Sequence, residues 1–219
     1  MRYLVVVILA LCAATVLAQP AVKTWTFEDT AIGGVPDGWK IEATRRDGPL
    51  ATWEVFADDE ADKGKNVFAM TRPNHACPST YNLCWTDAVP FKDGVIKVKM
   101  RADSGLVDRG GGPAWRVRDA DNYYVCRANP LESNLRLYYV KDGVRIQLAT
   151  ADLDIPSGKW LDLEIRQKGT HIECSLDGKK LIEMDDATLS EAGGVGLWTK
   201  ADAMTSFDVF QVETLESAK

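Results

Sequence analysis

Between residues 116 and 136 the chain places four arginines, Arg116, Arg118, Arg127 and Arg136, close to Tyr123 and Asn129, and a later run adds Trp198 and Lys200. These residue types can recognise sugars. Aromatic planes cover the apolar C–H faces of a sugar ring, and rigid multi-donor groups reach its hydroxyls. The same side chains could instead form the solvated face of a sheet, their stems covering apolar neighbours. We read the eight as a ligand-binding face for a glycan or small saccharide.

Bond-breaking chemistry is less well supplied. The chain has no Gly-x-Ser-x-Gly elbow, and Gly110-Gly111-Gly112 lacks the Lys-Ser/Thr of a phosphate loop, so it reads as a flexible turn. His75, Cys77 and Cys84 could make a metal set, but a bridge between Cys77 and Cys84 across six loop-like residues is the preferred reading of the three pairings open to four cysteines. His171 opens a strand-like run on its polar side and reads as a solvated residue. Asp119, Asp121 and Glu132 stand near the arginines in sequence, and no residue is assigned a catalytic role.

The elements that must position these groups are strands. Met1–Ala18 has an early arginine, a short apolar run and a small-residue end, the pattern of a secretory signal, so a secreted or periplasmic location is expected. Residues 19–219 then form one domain, with no segment apolar enough to be a transmembrane helix. Their 25 basic and 32 acidic side chains leave a net charge of −7, which argues against nucleic acid as a partner. Short period-two runs cut by Gly, Asn and Asp recur along the chain. Ile96, Val98 and Met100 oppose Lys97, Lys99 and Arg101, and Leu161, Leu163 and Ile165 oppose Asp162, Glu164 and Arg166. About a dozen strands predict an all-β, two-sheet antiparallel jelly-roll sandwich. Its core is expected from Trp115, Val117, Leu161, Leu163, Ile165, Ile172, Leu176 and Leu197.

Residues 115–124 (WRVRDADNYY), Arg127-Ala128-Asn129, residues 193–200 (GGVGLWTK) and Phe207-Asp208-Val209-Phe210 resemble the concanavalin A-like jelly-roll superfamily, and within it the 3-keto-disaccharide hydrolase domain family. The resemblance spans most of residues 22–213. It implies a carbohydrate-binding or carbohydrate-active protein. The Glu-x-Asp-x-x-Glu strand of glucanases on this scaffold is absent, and such hydrolysis needs two carboxylates beside the scissile bond. A non-catalytic glycan-binding module is therefore favoured, with hydrolysis of 3-keto-disaccharides or related glycosides by elimination as the alternative. Jelly rolls bring their terminal strands together, which makes Glu28, Asp29 and Asp208 candidates for a structural calcium ion. Otherwise Glu28 and Asp29 cap a turn and Asp208 is a strand residue.

Overall fold

A computed structural model describes residues 21–73 and 78–215, and within them fifteen strands and no helix. One sheet is ordered β13 (Lys179–Asp185), β12 (His171–Leu176), β11 (Trp160–Lys168), β6 (Gly94–Ser104), β15 (Met204–Thr214), β4 (Asn66–Arg72) and β3 (Thr52–Ala57), with β1 (Ala21–Trp25) also on β15. The other is ordered β10 (Val144–Asp152), β9 (Asn134–Lys141), β8 (Asn122–Asn129), β7 (Gly111–Asp119), β14 (Gly193–Lys200), β5 (Tyr81–Phe91) and β2 (Trp39–Thr44). Every pairing is antiparallel, as short alternating strands with one wet face require.

The alternation sets the register. Leu161, Leu163 and Ile165 stand opposite Met100, Val98 and Ile96, and on the other side Ile165 faces Cys174. Trp115, Tyr124, Cys126 and Leu197 meet them from the second sheet in one core. Each large apolar side chain withdrawn there contributes roughly 1.5–3 kcal/mol. The buried Trp115 donates its indole N–H to Gln167 Oε1 at 2.9 Å, so even the polar edge of that ring is satisfied.

Three expectations are corrected. Residues 81–91, the first of which were expected in a loop, are an interior strand of the second sheet, next to edge strand β2; their Tyr81–Thr86 half is buried on both faces, so it shows no alternation. Gly111 and Gly112 belong to β7 rather than to a turn. A Cβ on Gly112 would lie 2.0 Å from the Cys126 carbonyl, so the glycine permits a strand contact that no other residue allows. Val117 is buried, but not in the central core. Arg116 adopts φ 48° at an irregularity in the β7–β8 pairing, and past it the face of the strand changes.

The second sheet is strongly rolled, and its outer, concave face carries a second apolar cluster of Tyr81, Leu83, Trp85, Tyr123, Val125, Tyr138 and Trp198 among others. Arg145 on edge strand β10 stacks over Tyr138 at 4.4 Å and over Tyr81, five strands away, at 4.6 Å. At the opposite edge, Thr44 at the end of β2 reaches Tyr123 on β8. Accumulated right-handed strand twist brings these distant corners together.

Candidate functional site: a polar cluster at the end of the concave sheet

Strand parity places Arg127 and Asn129 of β8, Asn134, Arg136 and Tyr138 of β9, and Lys200 of β14 on the concave side at one end of the sheet. Asp108, from the loop before β7, enters between them. Its Oδ1 accepts from Asn129 Nδ2 at 2.7 Å and Arg127 Nη1 at 3.4 Å, and its Oδ2 accepts from Lys200 Nζ at 2.9 Å. Arg127 Nη2 donates to Glu132 Oε2 at 3.0 Å, Asn134 Oδ1 at 3.2 Å and the Tyr138 hydroxyl at 3.4 Å. Arg136 Nη1 donates to the same Glu132 oxygen at 2.7 Å.

The loop carrying Asp108 is held by a single carboxylate. Asp202 accepts the backbone N–H groups of Leu106 at 2.7 Å, Val107 at 3.0 Å and Asp108 at 2.9 Å, which lowers its pKa against the upward push of burial. Burial also pushes the Glu132 carboxyl up, but Arg127, Arg136 and Asn134 outweigh it and keep it ionised. Arg127 and Asp108 are buried, while Lys200, Arg136 and Glu132 keep 20%, 30% and 35% of their side-chain surface open. Three cations and two anions therefore form a preorganised patch with one unbalanced positive charge. The Nε donors of both Arg127 and Arg136 have no hydrogen-bond partner.

No family model matches the chain, and no curated protein matches it in sequence. Solved structures do match. The carbohydrate-binding module CBM66 from Bacillus subtilis gives a TM-score of 0.61 at 18% identity, over 80% of this chain and 95% of that one. The cellulose induced protein Cip1 gives 0.62 at 16% identity, over 90% and 99%. A Bacillus licheniformis beta-glucanase gives 0.58 at 13% identity, over 91% and 99%. The chain is a jelly roll. At these identities the likeness is one of fold, and the finer resemblance to 3-keto-disaccharide hydrolase domains is not confirmed.

Of the eight residues read as the binding face, Arg127, Asn129, Arg136 and Lys200 come together in the jelly roll's polar cluster. Arg116 does not. The irregularity at its own position swings it to the other end, where it donates to Lys92 O at 2.9 Å, Leu189 O at 2.7 Å, Gly169 O at 2.9 Å and Asp93 Oδ1 at 3.3 Å, a buried tie between three loops. Arg118 is exposed at the end of β7. Tyr123 and Trp198 lie on the concave side but are wholly buried, so neither offers an open ring to a sugar. Trp198 Nε1 donates to the Tyr123 hydroxyl at 3.0 Å, which bonds Thr44 Oγ1 at 2.8 Å, and Thr44 in turn donates to Ala120 O. Asp119 and Asp121 sit at the β7–β8 turn, away from the cluster. Asn134 and Tyr138 were legible from the parity of Arg136, whereas nothing local marked Asp108.

The calcium set does not converge. Glu28 Oε1 accepts the N–H groups of Lys65 at 3.0 Å and Asn66 at 2.8 Å, Asp208 Oδ2 accepts that of Lys63 at 2.9 Å, and Asp29 is exposed. These carboxylates fix the loop of residues 58–65 directly, and among the described residues no group of three metal-ligating atoms within 4.8 Å includes them. The one such group joins His171, Glu173 and Glu183 on the outer face of the first sheet, where Lys180 already bridges Glu173 at 2.9 Å and Glu183 at 2.5 Å. The expected Cys77–Cys84 bridge is not seen from its described half: Cys84 is a free thiol, buried between the sheets on β5, while Cys77 and His75 lie outside the described residues, as does the signal segment.

Proposed function

We propose that the protein is an exported glycan-binding module whose site is the Arg127 cluster. The observation that carries this reading is the partly open Lys200, Arg136 and Glu132 held in place by the buried Arg127 and Asp108, an arrangement rich in fixed donors and acceptors with no free nucleophile. Such a patch suits hydroxyls presented in a fixed geometry, because its groups are ordered before a ligand arrives. The carbohydrate-binding module and the glucanase among its structural neighbours support a sugar as the ligand class. Export rests on the leader-like residues 1–18.

Titration calorimetry with a panel of neutral and uronate-containing oligosaccharides tests this. Arg136→Ala, at a partly open position, should weaken binding by about tenfold or more, the effect of losing a charge-assisted hydrogen bond, with the fold retained. If no panel member binds, or Arg136→Ala binds as wild type does, the site is wrong.

A second reading, cleavage of a 3-keto-disaccharide, rests on Glu132. A 3-keto group acidifies the C2–H; a carboxylate could take that proton, the C1 substituent would leave, and water would then add. The lowered pKa of Glu132 makes it a weak base and a poor acid at neutral pH, which is why binding is preferred. Product release from a 3-keto-disaccharide, lost in Glu132→Gln, would reverse that preference.

A further inference from the structure

The guanidinium of Arg145, on edge strand β10, lies over three rings of the concave sheet: Tyr138 at 4.4 Å, Tyr81 at 4.6 Å and Trp198 at 5.8 Å. All three rings are buried, whereas Arg145 is only partly so. Ring faces attract a cation, and they fix the plane of the guanidinium without consuming its N–H donors. Arg127 is paired with Asp108 and Glu132, and Arg136 with Glu132. Arg145 has no such counter-charge. Among the described residues no carboxylate lies within ion-pair distance of it, and its Nη1 has no hydrogen-bond partner. The cation is ordered but not neutralised.

Tyr138 joins this group to the Arg127 cluster. Its hydroxyl is 3.4 Å from Arg127 Nη2 while its ring carries Arg145. Tyr81, the second ring beneath Arg145, stands opposite Lys200 on the neighbouring strand. Arg127, Arg136, Arg145 and Lys200 therefore outnumber Asp108 and Glu132 by two charges, on a chain that is acidic as a whole. A bound neutral sugar strips water from that surplus without cancelling it, whereas an anion cancels it. Resting on the sugar-site reading, we infer that the ligand is an acidic saccharide whose anionic group, a carboxylate or a sulfate, binds at Arg145 beside the Arg127 cluster. The planar fork of Arg145 suits such an oxyanion, and the acidic remainder of the chain confines the attraction to this face.

The test is calorimetric titration with short oligomers of galacturonate, glucuronate and mannuronate, each beside its carboxyl-reduced neutral counterpart and that counterpart sulfated at C6. The wild-type protein should bind at least one acidic member about tenfold or more tightly than its neutral counterpart. That advantage should shrink as sodium chloride rises from about 50 to about 500 mM, because a partly open ion pair is screened. A preference for the uronate identifies the anion as a carboxylate, and a preference for the C6 ester identifies it as a sulfate. Arg145→Gln, which keeps a stem over the rings, should abolish the advantage and leave the neutral counterpart's affinity within twofold, while Arg145→Lys should keep part of it. Acidic and neutral members binding equally, or an advantage untouched by Arg145→Gln, overturns the inference and leaves the sugar site standing. Binding of no member removes the sugar site as well. The comparison of acidic with neutral members and its salt dependence are read on the wild-type chain, so a poorly folding variant leaves them decisive.

Discussion

Arg127 and Arg136 stand directly opposite one another on β8 and β9 and share one oxygen of Glu132, at 3.0 and 2.7 Å. Like charges directly opposite in a sheet repel, so Glu132 is what makes the pair tolerable. Glu132→Gln should cost about 1.5–3 kcal/mol in chemical denaturation. Arg127→Ala, which also strips Asp108, Asn134 and Tyr138 of a donor, should cost about 3–5 kcal/mol. The double variant should lose clearly less than the sum, because the two act on one network. Full additivity would show that the cluster is not coupled.

Acid should loosen this region and the Asp58–Arg101 pair on the first sheet. Glu132, Asp202 and Asp58 all have folded pKa values below those of free carboxyls. Their contribution is complete above the unfolded values near pH 4 and is lost as pH falls through the folded ones. Asp208 and Asp121 are raised by burial and work in the opposite sense. The melting temperature should hold between about pH 7 and 5 and then fall, with a shallower fall in Asp202→Asn. A wild-type curve that rises on acidification below pH 4 would contradict this.

Tyr123→Phe interrupts the chain of hydrogen bonds from Trp198 through Tyr123 and Thr44 to Ala120 without opening a cavity. It should cost about 1–2 kcal/mol, leaving the Trp198 N–H buried and unpaired. Sugar affinity should stay within twofold of wild type, since neither ring faces solvent. A tenfold loss of affinity would return these residues to the binding face.

Asp208→Ala should destabilise the protein by about 1–3 kcal/mol through the loss of its bond to the Lys63 amide. The loss should be equal in calcium and in excess chelator, and chelator should leave the wild-type melting curve in place. A wild-type melting temperature that rises with calcium, with the rise lost in Asp208→Ala, would place an ion at Glu28 and Asp208, because a ligand of the folded state stabilises it by mass action.

Much of the scaffold was open to reading along the chain. The runs ending at Arg101 and Lys168 alternate because one side meets the core and the other meets water, and that pattern is local. The strand at residues 81–91 was not open in this way. It lies inside the second sheet with neighbours on both faces, so its first half carries no polar side to mark it. Parity brought Arg127, Asn129, Arg136 and Lys200 to one face correctly and failed at Arg116, where a single irregular residue reversed the alternation.

The all-β class, the two-sheet sandwich and most core positions were determined by the sequence, because hydrophobic period and turn residues act over a few neighbours. Whether the concave face was open was decided only by the tertiary structure. Twist accumulates across seven strands until Arg145 lies over Tyr81 and Thr44 reaches Tyr123, closing an aromatic surface that each strand alone presents outward. The same long-range geometry carried Asp108 between Arg127 and Lys200. Such meetings depend on how whole sheets curve and stack, so no short stretch of chain encodes them.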